Sequence, residues 1–457
     1  MRLYNTRTRA VEEFVPGGDD HVGMYSCGPT VQAAPHFGHA RAEIVPDVLR
    51  RWLEHRGYDV FHVRNITDVD DKIIARALGE RRPSAAVAEE YGRIYEAQIA
   101  RLGVQPPHVA PRATGHIIEM IALIERLVEM GAAYEAGGDV YFSVRAFERY
   151  GALSGRNVDE LRAGARIERD ERKRDPLDFA LWKAAKSGEP SWTSPWGRGR
   201  PGWHIECSAM STKYLGSNFD IHTGGLDLVF PHHENEVAQS EVASGRRFVR
   251  YWVHNGLLSV DNEKMSKSLG NVISLSQALD RYGANVLRLF YLSVHYRSPV
   301  DFTAERLAEA QAGLGRWRSF LRATRGLEAA DGEPEAVVTA RARFSEAMDD
   351  DLGTPGAHAA LFDLVSEGNR LLDAGDRAGA AAARDALLKL TGVLGYTVAE
   401  DRDTAGLVGP LVDELLRLRA QARARKDFAT ADGIRARLGE LGVVVEDAPR
   451  GPRWHLA

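Results

Sequence analysis

Two strand-like runs, "HVGMYSC" (21–27) and "YDVFHVRNI" (58–66), bracket "ARAEIVPDVLRRWLEHRG", an apolar-periodic stretch that Gly57 brings to a stop. Strand, helix and strand joined by short connections form a crossover unit, which commits the chain to a parallel, doubly wound α/β sheet. Such sheets gather ligands beyond the carboxyl ends of their strands, which is where Cys27 falls. Pro46 interrupts the helical stretch. Proline there removes a hydrogen bond and costs about 3 kcal/mol, so a kink or a restart near Val45 is expected.

At 457 residues the chain exceeds one core, and two to four domains are expected. Helices are expected over Glu89–Leu102 and Gly115–Met130. The stretch from Tyr150 to Pro201, rich in charge, Gly, Pro and Trp, reads as an insertion. Strand patterns return in "NFDIHTGGLDLVF" and "FVRYWVHNGLLSV". From Leu275 onward helix dominates, with boundary loops near Glu328–Glu335 and Ala399–Ala405 and a helical segment from Leu411 to Leu441. The opening "MRLYNTRTRAVEEFVPGG" has no apolar core of signal-peptide type, and no later run could span a bilayer. A cytoplasmic protein with no membrane partner is the expectation. The net charge of −5 argues against a basic coat without excluding a local nucleic-acid patch.

Three motifs carry chemistry. In "PHFGHARAE", His36 and His39 flank Gly38 where the first helix opens. A helix N-terminus offers N–H groups and a positive dipole end to phosphate, and imidazoles there can donate to phosphoryl oxygens. In "NEKMSKSLGN", Lys264 and Lys267 lie in a polar loop that reads either as solvated surface or as a cationic flap over leaving pyrophosphate. In "FPHHENEVAQ", Pro231 marks a helix start, and His232 and Glu236, four apart, face the same way, as metal ligands would. His233 and Glu234 are expected to point elsewhere. A zinc peptidase would need a histidine at Val237. The only cysteines are Cys27 and Cys207, read as buried thiols, a single disulfide or ligands.

H-x-G-H followed by "KMSKS", flanking a parallel sheet, resembles the signature pair of class I aminoacyl-tRNA synthetases. "YSCGPTV", "VRNITDVDDKI", "KRDPLDFALWK", "GWHIECSAM", "FPHHENE", "MDDDLGTP" and "KDFATADGIRARL" extend the resemblance, nearly end to end, to the cysteinyl-tRNA synthetases. It implies an α/β, class I Rossmann-type parallel-sheet catalytic domain with an inserted connective region and an all-helical C-terminal half. The implied divisions are catalytic first half 1–114, insertion 115–201, catalytic second half 202–260, signature-loop and stem-contact region 261–325, tRNA-binding bundle 326–398 and anticodon-binding region 399–457.

The implied zinc ligands are Cys27, Cys207, His232 and Glu236. The implied catalytic residues are His36, His39, Lys264 and Lys267, with Gly38, Lys267 and Asp227 at the nucleotide. Gly28, Thr30, Thr67, Trp203 and His222 would line the cysteine pocket. One zinc ion, ATP with Mg²⁺, L-cysteine and cysteine tRNA are the implied cofactor and substrates, on a monomer. The basic residues Arg417, Arg419, Arg423, Arg425 and Lys426 would belong to the anticodon region.

The charged run "RIERDERKRD" reads as a solvated face. Thr223 replaces the first glycine of the family's usual glycine run, and Ser26 is an unusual neighbour for Cys27. A related ligase that joins cysteine to a glucosaminyl-inositol shares the signatures but lacks the anticodon region, so Asp349–Asp350–Asp351 and the Arg-rich tail argue against it. A silent paralogue would have lost a signature lysine or a ligand, and none is lost.

Overall fold

The computed structural model describes residues 1–157, 171–260, 263–264, 273–330, 332–398, 404–446 and 453–456. It forms two compact units, Met1–Val398 and Ala399–Ala457. Lys267, part of the charged run and most of the loop at 399–405 lie outside the described residues.

The first unit is built on a four-stranded parallel sheet: β1 (His21–Ser26), β2 (Asp59–Arg64), β3 (Phe219–Gly225) and β4 (Val249–Asn255), in the order β4-β3-β1-β2. Register sets Ser26 opposite both Arg64 and Thr223, so the strand ends form one edge. Helix α1 (Phe37–His55) crosses between β1 and β2 and buries Ile44, Val45, Val48, Leu49, Trp52 and Leu53. The restart expected near Val45 does not occur: α1 runs as one helix from Phe37 to His55 with Pro46 inside it. Each large apolar side chain buried contributes about 1.5–3 kcal/mol. Six of them on one helix outweigh the cost of one proline.

Between β2 and β3 the chain builds a separate antiparallel sheet of five strands, Ala133–Ala136, Asp139–Phe142, Phe179–Ala184, Trp192–Ser194 and Gly197–Pro201. Helix α2 (Trp203–Leu215) then returns the chain to β3. The run "FVRYWVHNGLLSV" divides between two sheets. Its first half is β4, while Leu258–Val260 pairs with Val300–Phe302 and Glu263–Lys264.

Downstream, the helices Glu335–Asp349, Thr354–Asp373 and Arg377–Val393 pack with the helix Ala304–Ala323 around Trp317, Phe344, Leu361, Leu364 and Leu387. Two polar fastenings join this bundle to the rest of the first unit. Arg288 donates to Asp47 on α1 and to the Leu102 and Leu394 carbonyls. Asp351 accepts from Tyr4 N at 2.8 Å, Tyr296 Oη at 2.7 Å and Arg297 Nε at 2.7 Å.

The second unit is described by itself. The helix expected over Leu411–Leu441 is two, Thr404–Ala424 and Phe428–Glu440, followed by a hairpin of Val443–Glu446 and Arg453–Leu456. Lys426, at φ 61°, breaks the helix, and Asp427 caps the next through Thr430 N at 3.1 Å. Lys426 is exposed, unlike the buried Pro46 of α1, and a left-handed residue followed by an Asp cap ends a helix cheaply in solvent. Of the basic residues, Arg419 is buried and Arg417 pairs with Glu414 at 2.7 Å.

Candidate metal centre and active site

The carboxyl edge of the sheet receives side chains from four elements. Cys27 follows β1, His222 lies on β3, Cys207 on α2, and His232, His233 and Glu236 on the turn that opens α3 (Glu234–Ser244). The ligand atoms of Cys27, Cys207, His232 and Glu236 all lie within 4.8 Å of one another. So do those of an overlapping group, Cys27, His222, His233 and Glu236. The two sulfur atoms are 3.6 Å apart and unbonded. Glu236 divides its oxygens: Oε1 is 3.1 Å from His232 Nε2, and Oε2 is 3.0 Å from His222 Nε2.

His233, expected to point away, turns inward: its Nε2 is 3.3 Å from Cys27 Sγ and its Nδ1 2.7 Å from His254 Nε2. The expectation assumed a regular helix from Pro231. Residues 229–233 instead form a wide turn with Phe230 extended (φ −138°, ψ 131°), and α3 proper begins at Glu234. The wider turn rotates His233 toward the sheet, into space that Gly224 leaves open; a Cβ there would meet the imidazole at 2.6 Å. Glu234 does point elsewhere, accepting from Gly151 N and Ser154 N.

Burial governs the electrostatics. It pushes the Cys27 thiol well above the usual thiol range, helped by Cys207 and the Glu236 charge. For Cys207 the hydrogen bond with Cys27 pulls the value down, but burial and Glu236 outweigh it and the net shift is upward. Burial and neighbouring imidazoles hold His232 and His233 well below the ordinary imidazole value. His204 and His254 are each lowered to about 3, chiefly by burial. These groups are therefore neutral around the buried Glu236 side chain, a setting that a divalent cation would complement. Two sulfurs, an imidazole and a carboxylate suit a borderline-soft ion such as zinc; the overlapping group, with one sulfur and two imidazoles, is the harder set.

The residues read as a cysteine pocket surround this centre. Gly28 N donates to Asn65 Oδ1 at 2.8 Å, and any side chain at Gly28 would overlap the Asn65 carbonyl. Thr30 and Thr67 face each other across a backbone bridge, and Thr67 Oγ1 donates to Glu206 Oε2 at 2.8 Å. Burial pushes Glu206 well above the usual carboxylate range. Trp203, 37% exposed, stacks on His232 with ring centres 4.1 Å apart. His222 is fully buried and stacks on Trp252. It belongs as much to the metal-ligand cluster as to a pocket wall. Asp227 is exposed in the short turn after β3.

Thr223 and Ser26, read separately in the sequence, touch: their hydroxyl oxygens are 2.8 Å apart, and Ser26 Oγ is 2.8 Å from His62 Nε2. Thr223 keeps extended backbone within β3, and its carbonyl accepts from Cys27 N at 3.2 Å.

At the N-terminus of α1, His36 Nδ1 accepts from Gly38 N at 3.1 Å and His39 Nδ1 accepts from His36 N at 3.0 Å. In a neutral imidazole whose Nδ1 accepts, the proton sits on Nε2. Both rings therefore cap the helix with one nitrogen and carry a donor on the other. Backbone hydrogen bonds from Phe37 N to the Ile273 carbonyl (2.9 Å) and from Leu275 N to the Pro35 carbonyl (3.2 Å) bring the segment after "KMSKS" alongside this motif. Lys264 lies in the short strand Glu263–Lys264.

Sequence reasoning missed His204, Glu206, His233 and His254. For His204 a signal existed, since His204 and Cys207 are three apart on one helix. The others are brought in by long-range packing.

The parallel sheet with its inserted sheet and helical C-terminal region is the fold of a class I aminoacyl-tRNA synthetase. Solved structures share it: Agrobacterium radiobacter K84 LeuRS, in a ternary complex with tRNA and LeuAMS, has a TM-score of 0.63 at 12% identity over 85% of each chain. The methionyl-tRNA synthetase of Mycobacterium tuberculosis, in complex with methionyl-adenylate, has 0.59 at 18% identity over 90% of this chain and 96% of its own.

Residues 13–312 match the tRNA synthetases class I (C) catalytic domain, 343–398 the DALR domain and 408–454 the cysteinyl-tRNA ligase anticodon binding domain. The chain is 51% identical to the cysteine–tRNA ligase of Alkalilimnicola ehrlichii over 99% of both chains. It is 48% identical to that of Streptomyces coelicolor over all of this chain and 75% of the relative. The chain belongs to the cysteine–tRNA ligase family. Among the described residues, no helix is long and apolar enough to cross a membrane.

Proposed function

We propose that the chain activates L-cysteine with ATP·Mg²⁺, releasing pyrophosphate, and passes the cysteinyl group from the adenylate to the terminal adenosine of a cysteine tRNA. The observation that carries this reading is the convergence of both cysteines with His232 and Glu236 at the sheet edge. In this reading Cys27, Cys207, His232 and Glu236 hold one zinc ion. Bound there, zinc would favour a substrate thiolate over a serine hydroxyl, a distinction that pocket shape alone makes poorly.

The chain's own groups supply the rest. Gly28, Thr30, Thr67, Trp203 and His222 orient cysteine so that its carboxylate faces the α-phosphate, with Glu206 fixing the Thr67 hydroxyl. His36 and His39, protonated on Nε2, donate to phosphoryl oxygens as charge builds, and Gly38 lets the nucleotide lie against the backbone. Lys264 and Lys267 neutralise the departing pyrophosphate, and Asp227 lies toward the adenosine. The bundle at 326–398 and the unit from 399 hold the tRNA, with largely phosphate-borne, salt-sensitive affinity. We assign the protein to the cytoplasm, as a monomer.

Cysteine-dependent ATP–pyrophosphate exchange, run beside serine and after zinc chelation, tests the reading. Exchange with cysteine alone, abolished by chelation and followed by charging of cysteine tRNA, is expected. A folded, zinc-loaded protein without exchange would refute it.

A further inference from the structure

His204 is not among the groups assigned to zinc, yet its ring meets one of them edge to edge. His204 Nδ1 lies 2.9 Å from His232 Nδ1. Two unprotonated nitrogens would repel at that distance, so one of them carries the hydrogen. The other nitrogen of His232, Nε2, faces Glu236 Oε1 at 3.1 Å and is the one turned into the cluster. A ligating nitrogen must present a lone pair, so in the metal-holding state Nε2 is bare and the His232 proton sits on Nδ1.

We infer that His204 is a positioning residue for the metal centre: it accepts the Nδ1–H of His232 and thereby selects the tautomer and ring orientation that present Nε2 as the ligand. This rests on the zinc reading above. The surroundings of His204 fit the role. Its half-buried ring is set edge-on to Phe179, and its backbone carbonyl accepts from Gln239 Nε2 at 3.1 Å, on the same helix as Glu236. The adjacent Trp203 stacks over the His232 face. Two consecutive residues of α2 thus hold one predicted ligand from two directions, and the next turn of that helix supplies another, Cys207. Metal-bound histidines usually donate the remote N–H to a carboxylate, carbonyl or water; here the acceptor is a second imidazole.

The test is the zinc dissociation constant of the full chain, measured by competition with a chromogenic chelator, with the visible spectrum of the cobalt-substituted protein as a second readout. His204→Phe keeps a ring but removes the acceptor, and zinc affinity is expected to fall by about 10–100-fold. His204→Asn, whose amide oxygen can take the place of Nδ1, is expected to recover most of that loss and the cobalt spectrum. Thermal midpoints of the metal-free proteins separate misfolding from lost affinity. Wild-type zinc affinity in His204→Phe overturns the inference. So does a loss that tracks the metal-free midpoint and is not recovered by His204→Asn. If the wild-type chain takes up no zinc, the zinc reading falls and carries this inference with it, a different result from either of those.

Discussion

The carboxyl edge of the parallel sheet and the interior of the helical bundle are both shielded from water, yet they are filled with opposite materials. The sheet edge buries His62, His222, His232, His233 and His254 with the Cys207 thiol and the carboxyl groups of Glu206 and Glu236, and half-buries His204 and Cys27. The bundle packs Trp317, Phe344, Leu361, Leu364 and Leu387, and its one buried imidazole, His358, is paired with Tyr396 Oη at 2.7 Å. Burying so many titratable groups costs stability, and no local propensity rewards it. A cluster of that kind persists because it does something, whereas the bundle interior is explained by packing alone. The two regions should therefore respond to substitution in different observables.

The sharpest break is expected at the sheet edge. Cys207→Ala removes a predicted zinc ligand, so stoichiometric zinc should be lost and cysteine-dependent exchange should fall by more than about 100-fold, beyond what losing an outer partner costs. Metal analysis and exchange kinetics on one preparation check it; full zinc occupancy in the variant would dissolve the contrast.

Leu361→Ala, in the bundle, should lower unfolding stability by about 2–5 kcal/mol. It should leave KM for cysteine unchanged. Urea unfolding and exchange kinetics measure the two sides, and a large KM change would mean that the regions are not independent.

His358 sharpens the contrast through pH. Burial lowers it to about 4, below its ordinary value of 6.5. The unfolded chain therefore binds this proton first as pH falls. Its contribution is complete above about pH 6.5 and is lost on the way to pH 4, amounting to about 3 kcal/mol. Comparing the pH dependence of unfolding for wild type and His358→Gln isolates that share; identical curves would contradict it.

The smallest effect is expected at Thr223→Val, which removes the hydroxyl paired with Ser26 at nearly constant shape. A loss of about 1 kcal/mol is expected, typical of one net hydrogen bond. Pairing it with Ser26→Ala in a double-mutant cycle shows whether the two hydroxyls act together.

Much of the architecture was legible in the chain. Alternating strand and helix signals with short connections dictate a parallel sheet, because no other pairing accommodates a helix between neighbouring strands. The H-x-G-H at the first helix start and the capping chemistry of Gly57 are local, set by residues within a few positions of each other, and they read correctly. Sequence also placed four ligand-type residues in three separate motifs.

What it did not hold was everything that depends on residues distant in the chain meeting. Pro46 reads as a break because its cost is local, while the burial that outweighs it comes from the bundle and sheet packed around α1. His233 reads as outward-facing because regular helical geometry is the local default; the wide turn at 229–233 instead sets its imidazole against Gly224 of β3. Ser26 and Thr223 read as two unrelated departures, since register alone sets them side by side. Local rules of propensity and capping act over one or two turns and are written in the chain. The identity of a buried side chain's neighbours, its charge state and which nitrogen of an imidazole carries the proton are set by whatever folds against it, and only the tertiary structure decides those.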